Sequence, residues 1–191
     1  MYSESRLLAL LIDLNTNSLS HSHGTLIDHL QQTYKLLKQW ENPHYVCLAG
    51  LFHSIYGTQI YKKQTLGLEK RDIIKNAIGI EAEYLAYLFC IMDRGYFYNN
   101  LTSNKLRNSQ DGSYILISEE TKRNLCEVLV ANELEQQKRK MKKLQLDNNL
   151  LRLSLTMRKL NTIMSLVESL ISTQANKYFT DNFEKIYSNS L

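Results

Sequence analysis

A single proline, Pro43, stands in a chain of 191 residues, with only seven glycines beside it. A chain so poor in helix breakers, and rich in Leu, Lys, Glu and Gln, favours long helices over a sheet-rich fold. The hydrophobic fraction of 43% is enough for a packed core, and a charged fraction of 22% argues against wholesale disorder. The length suits one domain, or one domain with an appended helical element.

The clearest periodicity lies near the C-terminus. Leu146, Leu150, Leu153, Met157, Leu160, Met164, Val167 and Ile171 alternate spacings of four and three, a heptad pattern. Leu151, Leu155, Ile163, Leu166 and Leu170 widen the stripe, as in a helix buried in a bundle. Packing against the rest of the chain or against a second copy follows, so a homo-oligomer is one expectation.

Upstream, residues 4–14, 24–40 and 43–53 read as helices. Asn42 reads as the N-cap of the third, and Pro43 as its first helical position. Residues 68–77 and 80–92 read as two more helices hinged at Gly79, and Ser118 as the cap of another. Residues 94–117, rich in Tyr, Asn, Ser and Gly, read as a long irregular segment. The expected division is a helical core over 1–140 and C-terminal amphipathic helices over 141–191.

The net charge of +4 and pI near 8.8 are mildly basic, which makes nucleic acid an unlikely partner despite the cluster Lys138-Arg139-Lys140-Met141-Lys142-Lys143. Cys47, Cys90 and Cys126 are widely spaced in apolar contexts, as reduced cytoplasmic thiols would be. No apolar run approaches the roughly 20 residues of a membrane span.

His29 and His53 each sit in an apolar helical segment, 24 positions apart. A histidine so placed is either satisfied by local hydrogen bonds or binds something, and two on facing helices can share a metal ion. Asp28, beside His29, faces another way on a helix and reads as a capping charge. Glu133 and Glu135 flank Asn132 as acid–base candidates, with surface positions the expectation for both. Tyr96, Tyr98 and Tyr114 either line a pocket or pack a loop to the core.

Four segments resemble, in order and spacing, the HD-domain superfamily of helical metal-dependent phosphohydrolases, and most closely its alarmone-hydrolysing branch. His29 with Leu30 and Leu36-Leu37 is similar to the family's first metal-binding helix. Ala49-Gly50-Leu51-Phe52-His53, followed by Tyr56-Gly57-Thr58, is similar to its A-x-L-L-H-D-x-x-E-D-T. Residues 73–85 are similar to I-x-x-x-F-G-x-E-V-A-x-L-V, and Leu129-Val130-Ala131-Asn132-Glu133-Leu134 to L-A-D-x-L. Ser54 and Asn132 stand where the family has carboxylates, and Tyr56-Gly57 where it has an acidic pair.

The resemblance implies an all-α, HD-like helical bundle acting on a small phosphorylated or nucleotide-like substrate. It implies a divalent ion (Mn, Fe, Zn or Co) on His29, His53 and Asn132. Catalytic work would fall to Ser54, Tyr56 and Glu133, and substrate contact to His23, Thr58 and Tyr96. The alternative is a noncatalytic binding or regulatory module without the metal, its histidines hydrogen-bonded to Ser54, Tyr56 or Asn132.

Overall fold

A computed structural model describes residues 2–21 and 24–184. Helix α1 spans Glu4–Asp13, and a short antiparallel hairpin pairs β1, Ser20–His21, with β2, Gly24–Thr25. Helix α2, Leu26–Gln39, begins at a reciprocal cap, in which Thr25 Oγ1 accepts from the Asp28 amide and Asp28 Oδ2 accepts from the Thr25 amide. Asp28 is therefore a capping charge, and the Thr25 hydroxyl and amide, both donating to Oδ2, hold its carboxyl below the usual range. The inward stripe of α2 is Leu26, His29, Leu30, Thr33 and Leu37.

Helix α3, His44–Phe52, has Pro43 itself as N-cap, one position later than the sequence suggests. The fixed φ of proline serves either position, and the boundary moves because Asn42 turns its side chain to Glu127. From Val46 to Phe52 every residue of α3 is buried. Gly50 makes this possible, because a Cβ there would meet Leu37 Cδ1 at 2.3 Å. The backbones of α2 and α3 thus approach closely where both histidines are carried.

A 3₁₀ turn at Leu68–Lys70 leads into α4, Arg71–Ile78, and α5, Ile80–Ile91. The chain reverses between them at Gly79, whose φ of 93° suits glycine. Residues 94–117 are not irregular. They form α6, Arg94–Asn99, and a hairpin of β3, Lys105–Arg107, with β4, Tyr114–Leu116. The Asn, Asp, Ser and Gly that suggested a loop build its turn: Asn108 Oδ1 accepts from the Gln110 amide, Asp111 Oδ1 from the Ser113 amide, and Gly112 takes a φ of 74°.

Ser118 caps α7, Glu119–Leu146, by accepting from the Thr121 amide. This 28-residue helix is the axis of an all-α bundle. It packs against α2, α3 and α5, and against α8, Leu150–Val167, and α9, Thr173–Phe179. A π-helical turn follows at Thr180–Glu184. The division expected at 140/141 falls inside α7, which runs on to Leu146, and residues from Leu7 to Phe183 share one apolar cluster.

The heptad stripe holds from Leu153 to Ile171: Leu153, Met157, Leu160, Met164, Val167 and Ile171 are all buried. Leu146 and Leu150 lie on either side of the α7–α8 turn and are exposed. Asn148 makes that turn in the left-handed region, at φ 51°, which asparagine tolerates better than most residues. Leu151, Leu155 and Leu166, expected to widen the buried stripe, face outward. No helix among the described residues is long and apolar enough to cross a membrane.

Candidate functional site

His29 and His53 converge. His29 lies on the second turn of α2, His53 is the C-cap of α3, and Asn132 sits midway along α7. The two Nε2 atoms are 3.1 Å apart, and each is 3.1 Å from Asn132 Oδ1. The imidazoles meet edge to face at 5.0 Å, and His53 meets Phe89 in the same way at 4.9 Å. All three side chains are at most 2% exposed.

The outer ring nitrogens decide the chemistry of the inner ones. His53 Nδ1 donates to the Gly50 carbonyl at 2.6 Å, an oxygen that can only accept. His29 Nδ1 donates to the Glu135 carboxylate. A neutral imidazole protonated at Nδ1 carries a lone pair at Nε2. Two such lone pairs and an amide oxygen therefore face a common point. Three electron-pair donors this close are stabilised by positive charge between them, either a proton or a metal ion.

The donor set fits a divalent ion in two respects. Adjacent ligand atoms of a six-coordinate ion with bonds of about 2.2 Å lie about 3.1 Å apart, the edge of this triangle. A histidine held by a carboxylate at its far nitrogen is also the usual arrangement behind a metal ligand. The set is neutral and has two imidazoles, so it would suit borderline ions such as Zn, Fe or Co better than hard Mg or Ca. Among the described residues no three His, Cys, Asp or Glu side chains converge on one point, because the third donor is an amide.

The remaining sequence candidates lie elsewhere or do other work. Ser54 is buried beyond the end of α3, where its carbonyl accepts from the Gly57 amide at 3.0 Å. Tyr56 donates to Glu83 Oε1 at 2.9 Å, and Glu83 is gripped by Arg71 Nε and Nη2 at 2.6 and 2.8 Å. Burial and the Glu83 charge push the Tyr56 hydroxyl far up, which removes it as an acid or base near neutral pH. Thr58 Oγ1 accepts from the Tyr61 amide at 2.9 Å on the wall of a cleft of about 330 Å³ shared with Lys62, Cys90 and Ser109.

Glu133 is buried, against the expectation of exposure, but on another side of α7. It faces Arg94 Nη1 at 3.6 Å and Lys159 Nζ at 3.2 Å. Tyr96 packs edge to face on Tyr114 at 5.4 Å, joining α6 to the β3–β4 hairpin. His23 lies outside the described residues.

Glu135, like Glu133, is buried where a surface position is expected, and it serves the histidines. It is 5% exposed, with Oε2 on His29 and Oε1 on Arg139 Nη2, the latter at 2.6 Å. Gln136 Nε2 donates to Asn132 Oδ1 at 3.0 Å. Both follow Asn132 by three and four positions, the spacing that places helical residues on one face.

A family described only as a domain of unknown function (DUF6817) matches residues 10–94, which contain both histidines but not Asn132 or Glu135. No curated protein and no solved structure matches the chain.

Proposed function

We propose that the chain is a divergent HD-like metal-dependent enzyme of the cytoplasm, acting on a small phosphorylated or nucleotide-like substrate at the His29–His53–Asn132 triangle. The observation that carries this reading is the convergence of three electron-pair donors with both outer imidazole nitrogens already engaged. A divalent ion held there would polarise a phosphoryl oxygen and acidify a water. Glu135 and the Gly50 carbonyl fix the orientation of both rings, and Asn132 Oδ1 is steadied by Gln136. Buried, unpaired Cys47, Cys90 and Cys126 suit a reducing compartment.

Metal analysis of protein purified without chelator tests the reading. Stoichiometric Mn, Fe, Zn or Co is expected, and it should disappear in His29→Ala and His53→Ala. One observation favours a second reading, a metal-free binding module. Asn132 Nδ2 is buried with no partner among the described residues. With its amide reversed, and that of Gln136 reversed with it to accept in turn, Asn132 would donate to the imidazole nitrogens and act as a hydrogen-bonding keystone. Metal-free protein whose histidine variants lose only stability supports that module.

A further inference from the structure

The basic cluster does not behave as one surface. Lys138, Lys140, Lys142 and Lys143 are all exposed along α7, but only Lys138, with half-buried Arg139, lines a cleft of about 320 Å³ with Gln32, Leu36, Glu135 and Tyr178. We propose that this cleft, between α2, α7 and α9, binds the phosphate group of a small ligand.

Both cations are held in place before any ligand arrives. Lys138 Nζ donates to Tyr178 Oη at 3.1 Å and to Asn182 Oδ1 at 3.5 Å. Arg139 Nη2 is fixed by Glu135 Oε1, and its Nη1 lies where a Cβ on residue 24 would come within 2.6 Å. Gly24 thus lets the guanidinium lie against β2. A guanidinium carries five N–H donors in a plane, so one bond to Glu135 does not exhaust it. Gln32 adds a neutral amide from α2, one turn beyond His29.

The cleft and the histidine triangle share Glu135, which turns one oxygen to His29 and the other to Arg139. A phosphate drawn to Arg139 therefore sits on the outer side of the carboxylate that orients His29. The ligand's role as substrate rests on the reading proposed above; its binding does not. The volume suits a small molecule, and the division of the cluster disfavours a macromolecular polyanion, which would engage all the cations alike.

The test is calorimetric titration of the full chain with inorganic pyrophosphate in metal-free buffer. Lys138→Gln and Arg139→Gln should each weaken binding about tenfold or more. Gly24→Val should weaken it while leaving every charge in place, and a Lys142→Gln/Lys143→Gln double variant should match wild type within about twofold. If Arg139→Gln does not fold, Arg139→Lys keeps the charge and should still bind more weakly, because the planar fork is lost. No pyrophosphate binding by wild type overturns the proposal. So does an equal loss in the Lys142/Lys143 variant, the mark of a diffuse polyanion surface. Metal content measured on the protein as purified without chelator separates this proposal from the histidine-centre reading: pyrophosphate binding by protein that carries no metal as purified keeps the cleft and sinks the metal, and bound metal without pyrophosphate binding keeps the metal alone.

Discussion

Replacing Asn132 by Asp should change stability in opposite directions depending on whether a divalent ion is present. Asn132 is 2% exposed, and its Oδ1 lies 3.1 Å from both Nε2 atoms. Without a metal ion or a proton shared between the rings, Asn132→Asp places a carboxylate among two lone pairs in a desolvated site. Burial of an ion costs several kcal/mol, and the Gln136 bond, strengthened by charge, returns about one of these. The net loss is about 2–4 kcal/mol, which for a chain of this size lowers Tm by about 5–15 °C.

With a cation the balance reverses. At an effective dielectric of about 20, the new charge attracts each unit of positive charge at the roughly 2.2 Å of a metal–oxygen bond by about 7–8 kcal/mol. Metal at a thousand times its Kd adds about 4 kcal/mol to stability, enough to cancel the loss. The assay is a thermal scan of chelator-treated wild type and Asn132→Asp, with and without about 1 mM of the divalent chloride of Mn, Fe, Co or Zn in turn. The variant should melt lower than wild type when metal-free and gain more from metal. A variant that melts lower and gains nothing from any of Mn, Fe, Co or Zn refutes the claim that the triangle receives a cation.

Other outcomes follow from the same contacts. Glu135→Gln should weaken metal binding about 10–100-fold by releasing His29 Nδ1, read by competition with a chromogenic chelator. Glu83→Gln breaks a fully buried carboxylate's bonds to Tyr56 and Arg71, so it should cost about 3–5 kcal/mol in urea unfolding. It should leave metal and pyrophosphate binding intact; loss of metal with unchanged stability would return Tyr56 to the centre. Burial pushes the Cys47 thiol up to about 11 and the Cys90 and Cys126 thiols to about 12. An acid raised in the folded state ionises first when unfolded. Stability should therefore hold below about pH 8.5 and fall as pH rises above it, read as a lower urea midpoint at pH 9.5 than at pH 8. Native protein should resist thiol labelling at pH 8.

The meeting of His29, His53 and Asn132 is legible in the sequence because each lies in a strongly apolar helical segment, and helices of that kind must pack together. The roles given to Ser54 and Tyr56 are not legible. Both follow the end of α3, where helical periodicity no longer says which way a side chain points, and Tyr56 turns to Glu83, 27 residues away. Glu133 and Glu135 misled for a different reason. Acidic residues normally mark the solvent face of a helix, but α7 is buried on several sides and leaves no such face along 125–135. The irregular reading of 94–117 failed because a tight polar turn and a mobile loop share the same residue types.

The register of α7 ties these observations together. Steps of three and four residues carry Asn132 to Glu135, Gln136 and Arg139 on one side, toward the histidines and the phosphate cleft. The same steps carry Glu133 to Gln137 on another side, toward Arg94 and Lys159. Glu133 is met by cations from α6 and α8, and Glu135 by Arg139 one turn along α7 itself, so neither needs the other's partners. Glu133 pins α6 and α8 to the axis, while Glu135 is the one carboxylate of this stretch that touches both an imidazole and a cleft. Because one helix holds both sets, a shift of α7 by a single residue, about 100° of rotation, would withdraw Asn132 and Glu135 from the histidines together. The site therefore depends on the packing of α8 and α9 against α7 as much as on its own side chains.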